Sequence, residues 1–81
     1  MLKATLIIDV KTVYSVRPAN LLKARNQAGL SQEELAALLN GLWGFSRQGI
    51  SRIEGQGLAH AIDTDVIEQF RRAGFNIKLE Q

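Results

Sequence analysis

GLSQEELAALL, residues 29–39, packs the end of one helix and the start of another into a single run. Gly29 is a natural stop for the helix before it, because glycine takes up the left-handed backbone that closes a helix without steric cost. Ser31 stands three residues before Glu34, the spacing of a capping box in which hydroxyl and carboxylate each satisfy a backbone N–H of the first turn. Leu30 and Leu35 flank that cap as a hydrophobic staple. Leu35, Leu38, Leu39 and Leu42 then recur at helical spacing, and Asn40-Gly41 marks the predicted brake.

Upstream of this run, Pro18 suits a first helical turn, where its missing N–H costs nothing, and Leu21, Leu22 and Arg25 share a face as far as Gly29. Downstream, SRQGISRIEG, residues 46–55, opens on a second cap, Ser46, stapled by Phe45 and Ile50. In a helix ending near Gly55 or Gly57, Ile50 and Ile53 lie on one side, with Arg47, Gln48, Ser51 and Arg52 on the other. Asp63 caps a last helix, with Ile62 and Ile67 as its staple, Val66 and Phe70 facing inward, and Gly74 as its stop.

The two ends of the chain follow a different period. Leu2, Ala4, Leu6, Ile8, Val10, Tyr14 and Val16 alternate with Lys3, Thr5, Asp9, Lys11 and Ser15, and Phe75, Ile77 and Leu79 alternate with Asn76, Lys78 and Glu80. Period two predicts extended structure with one buried face. The expected fold is therefore α+β, mainly α, in one domain spanning 1–81. Its parts are a strand region at 1–16, a helical core of four to five helices at 18–74, and a strand at 75–81.

Composition narrows the function. The 81 residues include no cysteine, which excludes disulfides and thiolate metal sites. An apolar share of 46% is enough for a core. No apolar run approaches the roughly 20 residues of a membrane span, and the start lacks a signal-peptide layout, so a cytoplasmic location is expected and no membrane partner. The formal net charge is only +2, but it is unevenly placed. Residues 17–52 carry Arg17, Lys23, Arg25, Arg47 and Arg52 against Glu33 and Glu34; residues 53–81 carry three cations against five carboxylates. A basic middle suits a polyanion on one face.

The run RNQAGLSQEELAALL followed by FSRQGISRIEG resembles the helix-turn-helix DNA-binding domains of the phage-repressor and Cro type, the Xre-like family, over roughly residues 18–57. The resemblance implies double-stranded DNA as partner, with the helix at 46–55 as the reading helix. Arg47, Gln48, Gly49, Ser51 and Arg52 are then the expected base contacts, Gly49 by letting the backbone approach. The chemistry fits, since arginine donates two hydrogen bonds to guanine and glutamine pairs in both directions with adenine. Gln32 and Ser46 are expected at phosphates, with Lys23 and Arg17 as further phosphate neighbours. The resemblance also implies a partly buried ion pair between Arg25 and Glu54. One departure is the length of the turn: NGLWGF, residues 40–45, separates the two helices and implies an insertion, with Trp43 bracing it against the core or meeting a partner.

Nothing assembles for catalysis, so no enzyme and no cofactor are expected. His60, the single histidine, lies near Asp63 and Asp65, too sparse a set for a metal, and a solvated or backbone-bonded ring is expected. The terminal strands leave an apolar face to cover. The expected cover is a homodimer whose paired strands form one sheet and bury Leu6, Ile8, Val10, Phe75, Ile77 and Leu79. The expected function is a bacterial or phage-encoded repressor bound to a palindromic operator. Alternatives are an antitoxin-type autoregulator that also holds a toxin, a regulator answering to an antirepressor protein, or a protein–protein adaptor on the same fold.

Overall fold

A computed structural model describes residues 4–39 and 46–81. The predicted brake at Asn40-Gly41, the apolar positions Leu42 and Phe45, and the 40–45 insertion with Trp43 lie outside the described residues.

Alternation in the first sixteen residues resolves into two strands, β1 (Thr5–Val10) and β2 (Tyr14–Val16), paired antiparallel with Val10 opposite Tyr14 and Asp9 opposite Ser15. Three residues separate Val10 from Tyr14, so the even positions stay on the same face through the bend. Three helices follow, α1 (Pro18–Ala28), α2 (Gln32–Leu38) and α3 (Arg47–Gly55). A two-residue strand β3 (His60–Ala61), helix α4 (Thr64–Arg72) and strand β4 (Asn76–Glu80) complete the chain. The sheet has the order β3-β2-β1-β4, with β4 parallel to β1 and Leu6 opposite Ile77. β3 has no counterpart in the sequence pattern.

The predicted caps are in place. The Glu34 backbone N–H donates to Ser31 Oγ at 3.0 Å and the Ser31 N–H donates to Glu34 Oε1 at 2.9 Å, closing the capping box. The Ser31 backbone N–H foremost, then the Ser31 side chain, hold the Glu34 carboxyl below its ordinary value. Ser46 Oγ accepts from the Gly49 N–H and Asp63 Oδ1 from the Val66 N–H. Gly29 ends α1 at φ 70°, a conformation that disfavours any residue with a Cβ. Removing the first of these caps gives a direct test. Ser31→Ala is expected to cost about 1 kcal/mol, lowering the melting temperature by about 4–8 °C. Because the Glu34 value is depressed, its share of the cap is present above the ordinary carboxylate range and lost on acidification, so the difference from the parent should shrink in acid.

The helices cover the sheet's apolar face, and this corrects the expectation that a second chain does so. Leu6 and Ile8 are fully buried and Phe75 nearly so, in one core with Leu21, Leu35, Leu39, Ile50, Ile53, Val66 and Phe70 of the same chain. The reason is topological: β4 returns beside β1, and α1 packs directly on β1. Val10 and Ile77 pack partly buried against that core, and of the six predicted dimer residues only Leu79, 55% exposed, remains largely open. Phe70 and Phe75 meet edge to face at 5.4 Å, tying α4 to the start of β4. The odd positions of β1 and β2, with Ala61 of β3 and the even positions Asn76, Lys78 and Glu80 of β4, form the outer face, which is polar apart from Ile7 and Ala61 and carries the Asp9–Arg17 and Lys78–Glu80 ion pairs.

Candidate nucleic-acid interface

Ser46 fixes where α3 begins, and the register it sets decides which side chains face out. Gly49, Ile50 and Ile53 are buried, while Arg47, Gln48, Ser51 and Arg52 are exposed. The predicted division of this helix therefore holds for four of its five base-contact candidates. Gly49 is the correction. It lies on the inward side with the two isoleucines, and its N–H donates to Ser46 Oγ at 3.1 Å, so it faces the domain.

Gln32, in the first turn of α2, joins the four exposed residues of α3. Together they line one open groove of about 450 Å³. Two guanidiniums, two amides and a hydroxyl converge there, and no carboxylate lines it. Among the described residues neither Arg47 nor Arg52 is taken up by an ion pair. Such a surface offers many directed donors and a net positive charge to a single ligand face.

Behind the groove lies the predicted ion pair, and it is larger than the sequence implied. Arg25 Nε donates to Glu54 Oε2 at 2.7 Å and Nη2 to Oε1 at 3.0 Å, a two-point contact between α1 and α3. Arg25 Nη1 donates to the Leu30 carbonyl at 2.9 Å, which holds the turn between α1 and α2. Gln32 Nε2 donates to Glu54 Oε1 at 3.0 Å, which brings in α2 as well. The two charged side chains keep only 14% and 8% of their surface. Burial pushes the Glu54 carboxyl up, but the bonds from Arg25 and Gln32, with the arginine charge, push it further down, and the net direction is down. Glu54 stays ionised and fixes the start of α2 against α3. Gln32 uses one amide N–H on Glu54, and an amide carries a second.

Two predicted phosphate contacts stand apart from this groove. Arg17 is held by Asp9 at 2.7 Å and lines a separate groove with Lys11, Pro18 and the 56–59 segment. Lys23 is exposed on α1 beside Leu22, Asn26 and Gln27. Ser46 is exposed at the head of α3, its hydroxyl engaged as cap. His60 is half-buried in β3, opposite Val16. Burial first, then the nearby Arg52 charge, hold its imidazole below the ordinary value, so it adds no positive charge beside α3 at neutral pH. Sequence reading missed the Gln32–Glu54 bond and this closeness of His60 to Arg52; neither has a local signal.

Residues 21–54 match the family model described as Helix-turn-helix. The matched span runs from Leu21, the first buried leucine of α1, to Glu54, the carboxylate of the ion pair, and so contains α2 and α3 up to its last residue but one. No curated protein and no solved structure matches the chain. The match supports DNA as the partner and a regulatory, DNA-binding role. Among the described residues, no helix is long and apolar enough to cross a membrane.

Proposed function

We propose that this chain is a sequence-specific transcriptional regulator that docks α3 in the major groove and binds a two-fold symmetric operator as a homodimer. The observation that carries the reading is the carboxylate-free groove in which Arg47, Gln48, Ser51 and Arg52 stand beside Gln32. A reading helix needs an apolar stripe that fastens it to its domain and long polar side chains towards its N-terminal end. Ile50 and Ile53 provide the stripe. In this reading Arg47 and Arg52 address guanine, Gln48 addresses adenine, and Ser51 either. The second amide N–H of Gln32 and the head of α3 at Ser46 address phosphates. Arg17 and Lys23 lie off the groove and carry no base reading. Occupying a promoter in this way makes the chain a repressor, in a bacterial or phage setting.

Selection of bound duplexes from random DNA tests this directly. The expected consensus has two inverted half-sites with centres about 10 base pairs apart, and the affinity falls steeply with added salt. Absence of any salt-sensitive affinity for duplex DNA would overturn the reading.

A second reading adds a protein partner to the same chain, such as a toxin. It is favoured by Val13 and Leu58, 61% and 79% exposed, which border one open groove with Gln56 and Gly57, just past the C-terminal end of α3. Co-purification of a small partner at fixed stoichiometry would support it.

A further inference from the structure

β4 is the outermost strand of the sheet, and among the described residues nothing pairs beyond it. Its hydrogen-bonding polarity is set by the Asn76 N–H, which donates to the Ala4 carbonyl at 2.9 Å. Backbone groups alternate in direction along a strand, so Asn76, Lys78 and Glu80 point theirs at β1. Ile77 and Leu79 point theirs out of the sheet. An edge left open in this way is a template for another strand.

The side chains on that edge specify which strand. Lys78 and Glu80 lie on the outer face, 63% and 45% exposed, and Leu79 lies between them on the face that the helices share, 55% exposed. We infer that β4 pairs antiparallel with β4 of a second copy, with Leu79 opposite its own counterpart at the two-fold axis. In that register Leu79 exchanges both backbone bonds with its mate. Lys78 of each copy then faces Glu80 of the other in the closely spaced, non-hydrogen-bonded pairs, where side chains approach best. Two ion pairs and one leucine contact arise from a single three-residue sequence, as a self-complementary two-fold interface requires. Shifting the register by one residue on each strand sets Lys78 against Lys78, a like-charge opposition that disfavours it.

The symmetry of this pairing has a functional consequence. Leu79 lies on the same face of both copies, so the axis runs perpendicular to the sheet and keeps both helical layers on one side. Both α3 helices then belong to layers on the same side of the joined sheet, the side from which a pair must reach one face of a duplex. The inference deepens the homodimer of the proposed function and rests on that reading. It replaces the buried residues Leu6, Ile8 and Phe75 with the open edge as the joining surface.

Charge reversal on the full chain, followed by sedimentation velocity over a concentration series, tests it. Lys78→Glu and Glu80→Lys each create two like-charge oppositions, and each is expected to weaken dimerisation about tenfold. The double variant K78E/E80K restores both pairs and is expected to recover the parent dimer, with circular dichroism confirming that all three fold. Leu79→Cys, in a chain with no other cysteine, is expected to give a disulfide-linked dimer on mild oxidation, while Val13→Cys is not. The assignment is overturned if the folded double variant stays monomeric, if all variants dimerise like the parent, or if the parent is monomeric throughout. Salt-sensitive binding to a single half-site, measured alongside, reports on the DNA reading separately, since a monomer can still make it.

Discussion

Arg25→Met is expected to destabilise the domain by about 3 kcal/mol. Removing one partner of a buried ion pair strands the other charge at a cost of about 3–5 kcal/mol, and the lower end applies where the pair keeps some contact with water. Glu54 would retain only the Gln32 amide, in a site where 8% of its side chain reaches solvent. A domain of this length holds about 4–12 kcal/mol in total, so the loss is a large share of it. Urea unfolding at neutral pH measures it. The pH dependence supplies an internal control. In the parent the Glu54 value is depressed, so its contribution is present above the ordinary carboxylate value of 4.5 and lost as pH falls through the lower folded value. In Arg25→Met burial dominates and raises the carboxyl, so the variant is least disadvantaged in acid. The gap between the two should therefore narrow below pH 4.5. Replacing both residues by apolar ones of similar size should recover most of the loss, because no charge is then left alone. A gap independent of pH would assign the cost to lost packing of the arginine stem instead.

How far the sequence could be read follows from the range of each interaction. Caps are local: Ser31, Ser46 and Asp63 each reach an N–H three residues on, so each could be placed from a handful of residues. The alternation in β1 named its buried face correctly because period two is a property of one strand. Which element covers that face is not such a property. The parallel pairing of β1 with β4 joins the two ends of the chain, and nothing in either strand states it. β3 is two residues long and carries no period at all, so it escaped notice. At the site, Arg25 and Glu54 were conspicuous as charges at inward-leaning positions, but Gln32 reaches Glu54 only once α2 lies across α3. The inward facing of Gly49 was legible. Residues 49, 50 and 53 fall on one side of a helix, and a glycine, having no side chain, gives no hint of its facing beyond that geometry.

Arg47→Ala is expected to weaken binding to the consensus operator by about 2–6 kcal/mol, roughly 30-fold to 10⁴-fold in Kd. Losing a good bidentate contact to a base costs about 1–3 kcal/mol, and a two-fold symmetric complex loses it twice. Arg47 is the first residue of α3, at the end of the helix that a major-groove reader inserts, and it stands exposed on the groove shared with Gln32. The informative quantity is the ratio between the consensus and a scrambled duplex, measured by fluorescence anisotropy at one salt concentration. A base contact lowers affinity for the consensus far more than for the scrambled duplex, so specificity falls. Gln32→Ala should instead weaken both duplexes alike, because phosphates carry no sequence. It should also cost the ion pair one hydrogen bond at Glu54, about 1 kcal/mol of folding stability. Lys23→Ala lies off the groove and should change the ratio little. If Arg47→Ala lowered both duplexes equally, Arg47 would be a phosphate contact, and the reading would pass to Gln48, Ser51 and Arg52. The helix would then sit in the groove at a different tilt, with its first turn against the backbone.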